Sequence, residues 1–303
     1  MLARKAQGQG SPYMFDKVEQ YYRPGSVREA LQLLQNAKGR ARVVAGGTDF
    51  VLEPDDSVRI LIDITRAGLS YVRSKKGSLA IGATTTMAEL EESPDVQRLA
   101  GGVLARAAAT CGSVQIRNLA TIGGNMAHGS PAADLAGPLL ALDASVVVAS
   151  AGGSRRKLAI AEYLATPRKT HSAGTLVVEV CFPPPPAGSR SGWSFQKLGR
   201  TAVDISLVNV TAGLQLDARG KVKWARIALG AVSPAPMRAA TTESLITGRV
   251  LDRQLIEDAG AQVEKEVSPI SDQRASAEYR RAMSGVLTRR ALEACANQAR
   301  WTV

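Results

Sequence analysis

The sequence predicts an α+β protein in two domains, and three observations carry that prediction. Near the start, a helix-period segment from Ser26 to about Gly39 runs directly into the β-branched pair Val43-Val44. Later, the strand-like run Thr175 to Phe182 is stopped by four prolines, Pro183 to Pro186, which cannot continue a hydrogen-bonded ladder. Beyond them Val208, Val210, Ala212, Leu214 and Leu216 alternate along one face, the period of a strand.

The elements follow in chain order. Residues 1–13 read as a disordered extension, with Met14 an alternative start, and residues 14–186 and 187–303 as the two domains. Ser26 is the N-cap of a helix that places Val27, Ala30, Leu31 and Leu34 on one face. Strands are expected at Arg59 to Ile64, Leu79 to Gly82 and Ala144 to Ala149, a buried alanine-rich helix at Val103 to Thr110, and a short helix at Pro138 to Leu142. In the second domain Asp217-Ala218-Arg219-Gly220 turns the chain back into a partner strand, Lys221 to Leu229. Two helices close it. Leu251 to Val267 shares a face of Leu255, Ile256, Ala259 and Val263, and Ser276 to Gln298 one of Met283, Leu287, Ala291 and Ala294. The second domain is therefore an antiparallel sheet with helices on one face.

Composition removes several function classes. At 303 residues and 45% apolar content, a packed core is assured and global disorder excluded. The apolar runs are far too short for a membrane span, and Ala6 to Ser11 is polar and glycine-rich where an export signal needs an apolar core. The net charge of +11 invites a nucleic-acid reading, but the basic residues are scattered and only 4% of residues are aromatic, leaving little to stack on bases. An acidic partner or an anionic cofactor is the more economical use of that charge. Cys111, Cys181 and Cys295 lie far apart, too few for an iron–sulfur cluster and without a disulfide pattern, which fits a reducing cytoplasm. His128 and His171 are too few for a metal site.

Two glycine-bearing turns carry the chemistry, Ala45-Gly46-Gly47-Thr48-Asp49 and Thr121-Ile122-Gly123-Gly124-Asn125. Paired glycines let the chain turn sharply and let backbone N–H groups approach an anion closely, so the two turns together read as a two-sided cradle for a pyrophosphate. Thr48 adds a hydroxyl donor. Asp49, while ionised, accepts from a ribose hydroxyl or caps a turn. An isolated Gly-Gly pair is also the ordinary end of a strand. The second turn lies inside Gly112-Ser113-Val114-Gln115-Ile116-Arg117-Asn118-Leu119-Ala120 and Met126-Ala127-His128-Gly129-Ser130-Pro131-Ala132-Ala133-Asp134, a string of amides and hydroxyls with little bulk.

That string resembles the FAD-binding, or medium, subunit of the molybdenum hydroxylases, the xanthine dehydrogenase and carbon monoxide dehydrogenase family. Tyr21-Tyr22-Arg23-Pro24-Gly25-Ser26-Val27-Arg28-Glu29-Ala30 looks like the family's opening strand and helix, Phe195-Gln196-Lys197-Leu198-Gly199-Arg200 with Asp204-Ile205 like its lysine-bearing segment, and Arg274 to Arg280 followed by Val286 to Leu292 like its closing helix. The resemblance implies a two-part FAD-binding domain of the PCMH type, then a smaller α+β domain of the carbon monoxide dehydrogenase flavoprotein C-terminal type.

It also implies a site. Val43, Val44, Ala45, Gly46, Gly47, Thr48, Asp49 and Phe50 on one side, and Thr121, Gly123, Gly124 and Asn125 on the other, are expected to hold the pyrophosphate and adjoining ribose. A valine at Gly46 or Gly123 should then empty the site and leave the fold intact. Asp134 is expected to accept hydrogen bonds from FAD, and it stands equally where it could cap a helix. Lys197 matches the lysine near the flavin, and is otherwise a surface lysine on a strand edge. Cys111 and Val177 fall where relatives bring atoms against the cofactor, or are core residues; His128 touches the cofactor or fills the turn. The chain departs from the family at Thr201, where a second arginine follows Arg200 in relatives.

The function implied is electron transfer. A large partner subunit carries a molybdopterin cofactor and a small one carries [2Fe-2S] clusters, in a dimer of heterotrimers; FAD in this chain passes electrons on to NAD or a quinone, with no catalytic side chain and no metal required here. The alternative is a self-sufficient flavin-dependent oxidase of a small alcohol, and a third reading is a nucleic-acid-binding scaffold.

Overall fold

The computed structural model describes residues 17–53, 55–165, 174–184 and 190–301. The expected extension, Met14, His171 and the end of the proline run lie outside them.

The first core is built on two sheets. Strands β1 (Gln20–Tyr22), β2 (Ala41–Val44) and β3 (Ile60–Asp63) form a small parallel sheet in the order β1-β3-β2. Parallel strands cannot be joined by a tight hairpin, and helix α1 (Val27–Asn36) makes the crossover. Ser26 caps it as expected, accepting from the Glu29 N–H, and Ala30, Leu31 and Leu34 are its buried face. Strand β3 stops at Asp63 because that carboxylate accepts from the Thr65 N–H and starts a tight turn.

The second sheet is antiparallel, with β4 (Val72–Lys75), β5 (Ser78–Gly82), β6 (Ser145–Ser150), β7 (Arg155–Ala159) and β8 (Thr175–Phe182) in the order β4-β5-β8-β6-β7. Between β5 and β6 the chain winds through six short helices: α2 (Met87–Glu92), α3 (Pro94–Arg98), α4 (Val103–Ala109), α5 (Val114–Arg117), α6 (Ile122–His128) and α7 (Ala136–Ala141). Their ends are specified locally. Thr86 and Glu89 form a reciprocal capping box at α2, and Ser93-Pro94 opens α3 with proline where its missing N–H is not needed. Helix α8 (Ile160–Ala165) follows β7.

The second core is a four-stranded antiparallel sheet, β9 (Ser191–Leu198), β10 (Val208–Leu216), β11 (Val222–Gly230) and β12 (Met237–Arg238), in the order β12-β11-β10-β9. Helices α9 (Ala240–Ile246), α10 (Arg253–Glu266) and α11 (Ala277–Trp301) complete it. Val208, Val210, Ala212, Leu214 and Leu216 join Leu255, Ala259, Val263, Leu287 and Ala291 in one apolar cluster. Helix α11 lies so close to β9 that a Cβ on Gly192 would stand 2.0 Å from the Cys295 carbonyl oxygen.

The opposite face of β10 is buried as well. Asn209 and Thr211 are polar but inaccessible, because α7 of the first core lies over them: a Cβ on Gly137 would come within 2.9 Å of the Thr211 hydroxyl and 3.3 Å of Asn209 Oδ1. The two cores thus share one strand, covered by α11 on one side and by α7 on the other. Lys197 and Asn209 are cross-strand neighbours in the β9–β10 ladder, so Lys197 is carried toward the first core.

Candidate functional site

The first glycine segment leaves β2 at Val44, with Val43 and Val44 half-buried beside Ile62 and Asp63 of β3. Gly46 has no room for a side chain, since a Cβ there would stand 1.9 Å from the Leu119 carbonyl oxygen. Gly47 is the opposite case. Its φ of +67 is a conformation glycine adopts without penalty, and an added Cβ would meet nothing within 4 Å. After it the chain closes a helical turn, with the Val51 and Glu53 N–H groups donating to the Gly47 and Asp49 carbonyls. Phe50 is buried, with the Arg42 guanidinium 6.0 Å from its ring centre. The N–H groups of Gly46, Gly47, Thr48 and Asp49 have no acceptor among the described residues.

The second segment is not a turn but the start of helix α6. Thr121 is extended and its hydroxyl accepts from the Gly124 N–H at 3.1 Å. The Ile122 and Gly123 N–H groups donate to the Thr85 and Ala83 carbonyls at 3.0 and 2.9 Å. The leading amides of this helix are therefore spent inside the protein, which corrects the expectation that they replace the hydration of an anion. Gly123 is a glycine because a Cβ would lie 2.6 Å from both the Cβ and the carbonyl oxygen of Ala83. Ala83 in turn is held by the Val178 carbonyl, at the position where β8 bulges against β6. What this side presents outward is the exposed Gly124 and the half-buried Asn125, whose Oδ1 is buried without a hydrogen-bond partner. His128 ends the helix between two carboxylates, that of Asp49 in the first segment and that of Glu53 in the helical turn after it, its ring nitrogens 3.8 Å from each.

A third group comes from both cores. The Lys197 ammonium donates to Asp134 Oδ2 at 2.6 Å and to the Thr110 carbonyl at 2.8 Å, and the Ser206 hydroxyl donates to Asp134 Oδ1 at 2.6 Å. Lys197 belongs to the edge strand β9, yet its side chain is only 8% exposed and Asp134 only 6%. Lys197 is thus not a surface lysine. Asp134 does not cap α7 either, whose N-cap is Leu135 with no side-chain bond. Burial pushes the Asp134 carboxyl above the usual range, with Lys197 and Ser206 opposing it. Each carboxylate oxygen accepts one bond here and retains a lone pair.

Cys111 follows Thr110 in this group. Its thiol is raised to about 11, by burial first and then by Asp134, so it stays protonated and is no nucleophile for a covalent flavin link. Val177 is a buried member of the first core, and its tie to the cradle runs through the adjacent Val178 carbonyl. Sequence reasoning missed Leu119, Ala83 and Ser206. For the first two a signal existed in the glycines themselves, which mark close backbone approach; for Ser206 there was none. Among the described residues no three His, Cys, Asp or Glu side chains could hold a metal ion, and no helix is long and apolar enough to cross a membrane.

The first segment thus carries amides with no acceptor among the described residues, the second is packed against it, and a cation–carboxylate pair is buried where the two cores meet. Comparison with known proteins shows the family. Residues 14–185 match the family model described as FAD binding domain in molybdopterin dehydrogenase, and residues 193–295 match the CO dehydrogenase flavoprotein C-terminal domain. The putative xanthine dehydrogenase FAD-binding subunit XdhB of Escherichia coli is 32% identical over 286 residues, covering 92% of this chain and 96% of that one. The carbon monoxide dehydrogenase medium chain of Hydrogenophaga pseudoflava is 33% identical over 285 residues, covering 91% and 96%. A solved carbon monoxide dehydrogenase from Hydrogenophaga pseudoflava, lacking the Mo-pyranopterin moiety of its molybdenum cofactor, superposes with a TM-score of 0.85 at 29% identity over 93% of this chain and 98% of that one.

The protein is an FAD-binding oxidoreductase subunit. It belongs to the family of FAD-binding medium subunits of the molybdenum hydroxylases, and the oxidase of a small alcohol is not favoured. The residues fit FAD: the Gly46 to Asp49 amides await an acceptor, Gly47 leaves room for one, and the orphaned Asn125 Oδ1 awaits a donor.

Proposed function

We propose that this chain takes electrons from [2Fe-2S] clusters of a small partner subunit, reduced in turn by a molybdopterin-bearing large subunit, and delivers them to an external acceptor such as NAD or a quinone. What supports the reading is the match of residues 14–185 and 193–295 to the two domains of the molybdenum hydroxylase flavoprotein subunits, together with a free-amide turn and a buried lysine available to hold the cofactor. When bound, FAD supplies the redox chemistry, and the protein supplies position and field. The undonated N–H groups of Gly46 to Asp49 hold the pyrophosphate, while Thr121, Gly124 and Asn125 bound its other side and Asp49 accepts from the ribose. Lys197, with one N–H left beyond its bonds to Asp134 and the Thr110 carbonyl, supplies positive charge beside the flavin, and Asp134 keeps that ammonium in place while its spare lone pairs accept from the cofactor. Cys111, still a thiol, contributes bulk without charge.

The division at residues 14–186 and 187–303 makes the first domain the holder of the dinucleotide and the second the carrier of Lys197 to it. The assembly is a dimer of heterotrimers in the cytoplasm; its multi-subunit character is supported by relatives named as medium chains.

Stopped-flow mixing of chemically reduced, FAD-loaded protein with NAD⁺, a quinone or oxygen should show rapid reoxidation by one acceptor; none reacting faster than free flavin defeats the proposal. Isolation from the native source should bring two partners, one rich in cysteine, whereas a homogeneous single-chain species contradicts the assembly.

A further inference from the structure

We infer that Ser206 is a positioning residue for the flavin-side lysine: its hydroxyl fixes the Asp134 carboxylate in the orientation that holds the Lys197 ammonium. The inference rests on the reading that Lys197 faces the flavin, and goes beyond it by naming what sets that cation.

Ser206 is delivered to Asp134 by backbone bonds on both sides of the next residue. The Leu207 N–H donates to the Leu198 carbonyl at 2.8 Å, closing the loop that begins after Lys197. The Leu207 carbonyl accepts from the Arg280 guanidinium at 2.7 Å, and Arg280 is itself buried and paired with Asp272 at 2.8 Å. Preceding Ser206, Val203 and Ile205 are exposed. The serine is therefore the last residue of an exposed loop to enter the interior, at a place fixed by a buried arginine.

At Asp134 the two carboxylate oxygens are divided, one to Lys197 and one to Ser206, each at 2.6 Å. Bonds of that length to a carboxylate are charge-assisted and favour its ionised form. Removing the serine hydroxyl leaves Oδ1 buried without a donor, which frees the carboxylate to rotate and disfavours its ionised form. The titratable groups facing Asp134 are Lys197 from β9 and Cys111 after α4, and Cys111 stays protonated through neutral pH. The orientation of the Asp134 carboxylate toward Lys197 is thus set by the one hydroxyl opposite it.

The test uses the full chain in two forms. Without FAD, carboxyl ¹³C NMR follows the titration of Asp134, assigned with Asp134→Asn, in wild type, Ser206→Ala and Ser206→Thr. With FAD, redox titration follows the flavin midpoint potential in the same proteins and in Lys197→Met. Ser206→Ala should raise the Asp134 midpoint by about one pH unit or more, Ser206→Thr should restore it, and Ser206→Ala should make the flavin potential more negative, by less than Lys197→Met does. An Asp134 titration unchanged in Ser206→Ala overturns the inference. If the titration moves but neither Ser206→Ala nor Lys197→Met alters the flavin potential, the serine does position Asp134, and it is the placement of Lys197 beside the flavin that falls.

Discussion

The two glycine segments look alike in sequence and are built for opposite purposes. In Ala45 to Asp49 the backbone amides are undonated and Gly47 faces open space, whereas in Thr121 to Asn125 the leading amides are bonded within the protein and Gly123 is pressed onto Ala83. The first segment offers donors. The second fixes where those donors stand, because Gly46 rests on the Leu119 carbonyl, two residues ahead of the cap of α6. A glycine pair can thus mark close approach of the chain to a ligand or of the chain to itself, and the atom that a Cβ would meet tells the two apart.

The largest effect separating the segments is expected from valine substitutions. Gly46→Val and Gly123→Val each set a side chain against backbone that cannot yield, at 1.9 Å from Leu119 and 2.6 Å from Ala83. This corrects the expectation that these variants would empty the site and spare the fold. Each should lose about 3 kcal/mol or more of stability in urea denaturation without FAD. Wild-type stability in either would mean the segments are not packed as described.

Gly47→Ala should do something different. No atom is struck, but φ of +67 costs an alanine about 1–2 kcal/mol, and relief of that strain swings the adjoining N–H groups away. FAD affinity should fall by about tenfold or more, measured by fluorescence titration of the apoprotein. Unchanged affinity would remove the amides of this turn from the site.

How much of this was legible depends on whether the signal is local. Helix α1 was readable because its cap, Ser26, and its apolar stripe lie within one stretch. Strands β4 and β7 were not: Val-Arg-Ser-Lys and Arg-Arg-Lys-Leu-Ala lack apolar alternation, and in β7 the exposed Arg155, Arg156 and Lys157 guard a sheet edge. In β10 the alternation reported only the face on α11, because the residues under α7 are polar although buried. The two glycines of helix α6 read locally as a turn, yet Thr121 three residues ahead of Gly124, with Ile122 and Met126 both fully buried, is a helix start. Asp134 and Lys197 are each implied singly by the resemblance. Their pairing spans 63 residues and two cores, a relation no local pattern contains.

The smallest effect, and the sharpest in sign, belongs to Asn125. Its Oδ1 is buried with no partner among the described residues, and an unsatisfied buried acceptor costs about 1–3 kcal/mol, a cost that a donor from a bound cofactor would remove. Asn125→Ala removes the acceptor together with its desolvation penalty. Apoprotein stability should therefore stay within about 1 kcal/mol of wild type or rise, while FAD binds more weakly by about tenfold. Gly123→Val in the second segment should lose stability and affinity together; Asn125→Ala should lose affinity alone. If it instead unfolds the apoprotein, Asn125 serves the packing of α6 as Gly123 does, and the second segment touches the cofactor through Gly124 and Thr121 only.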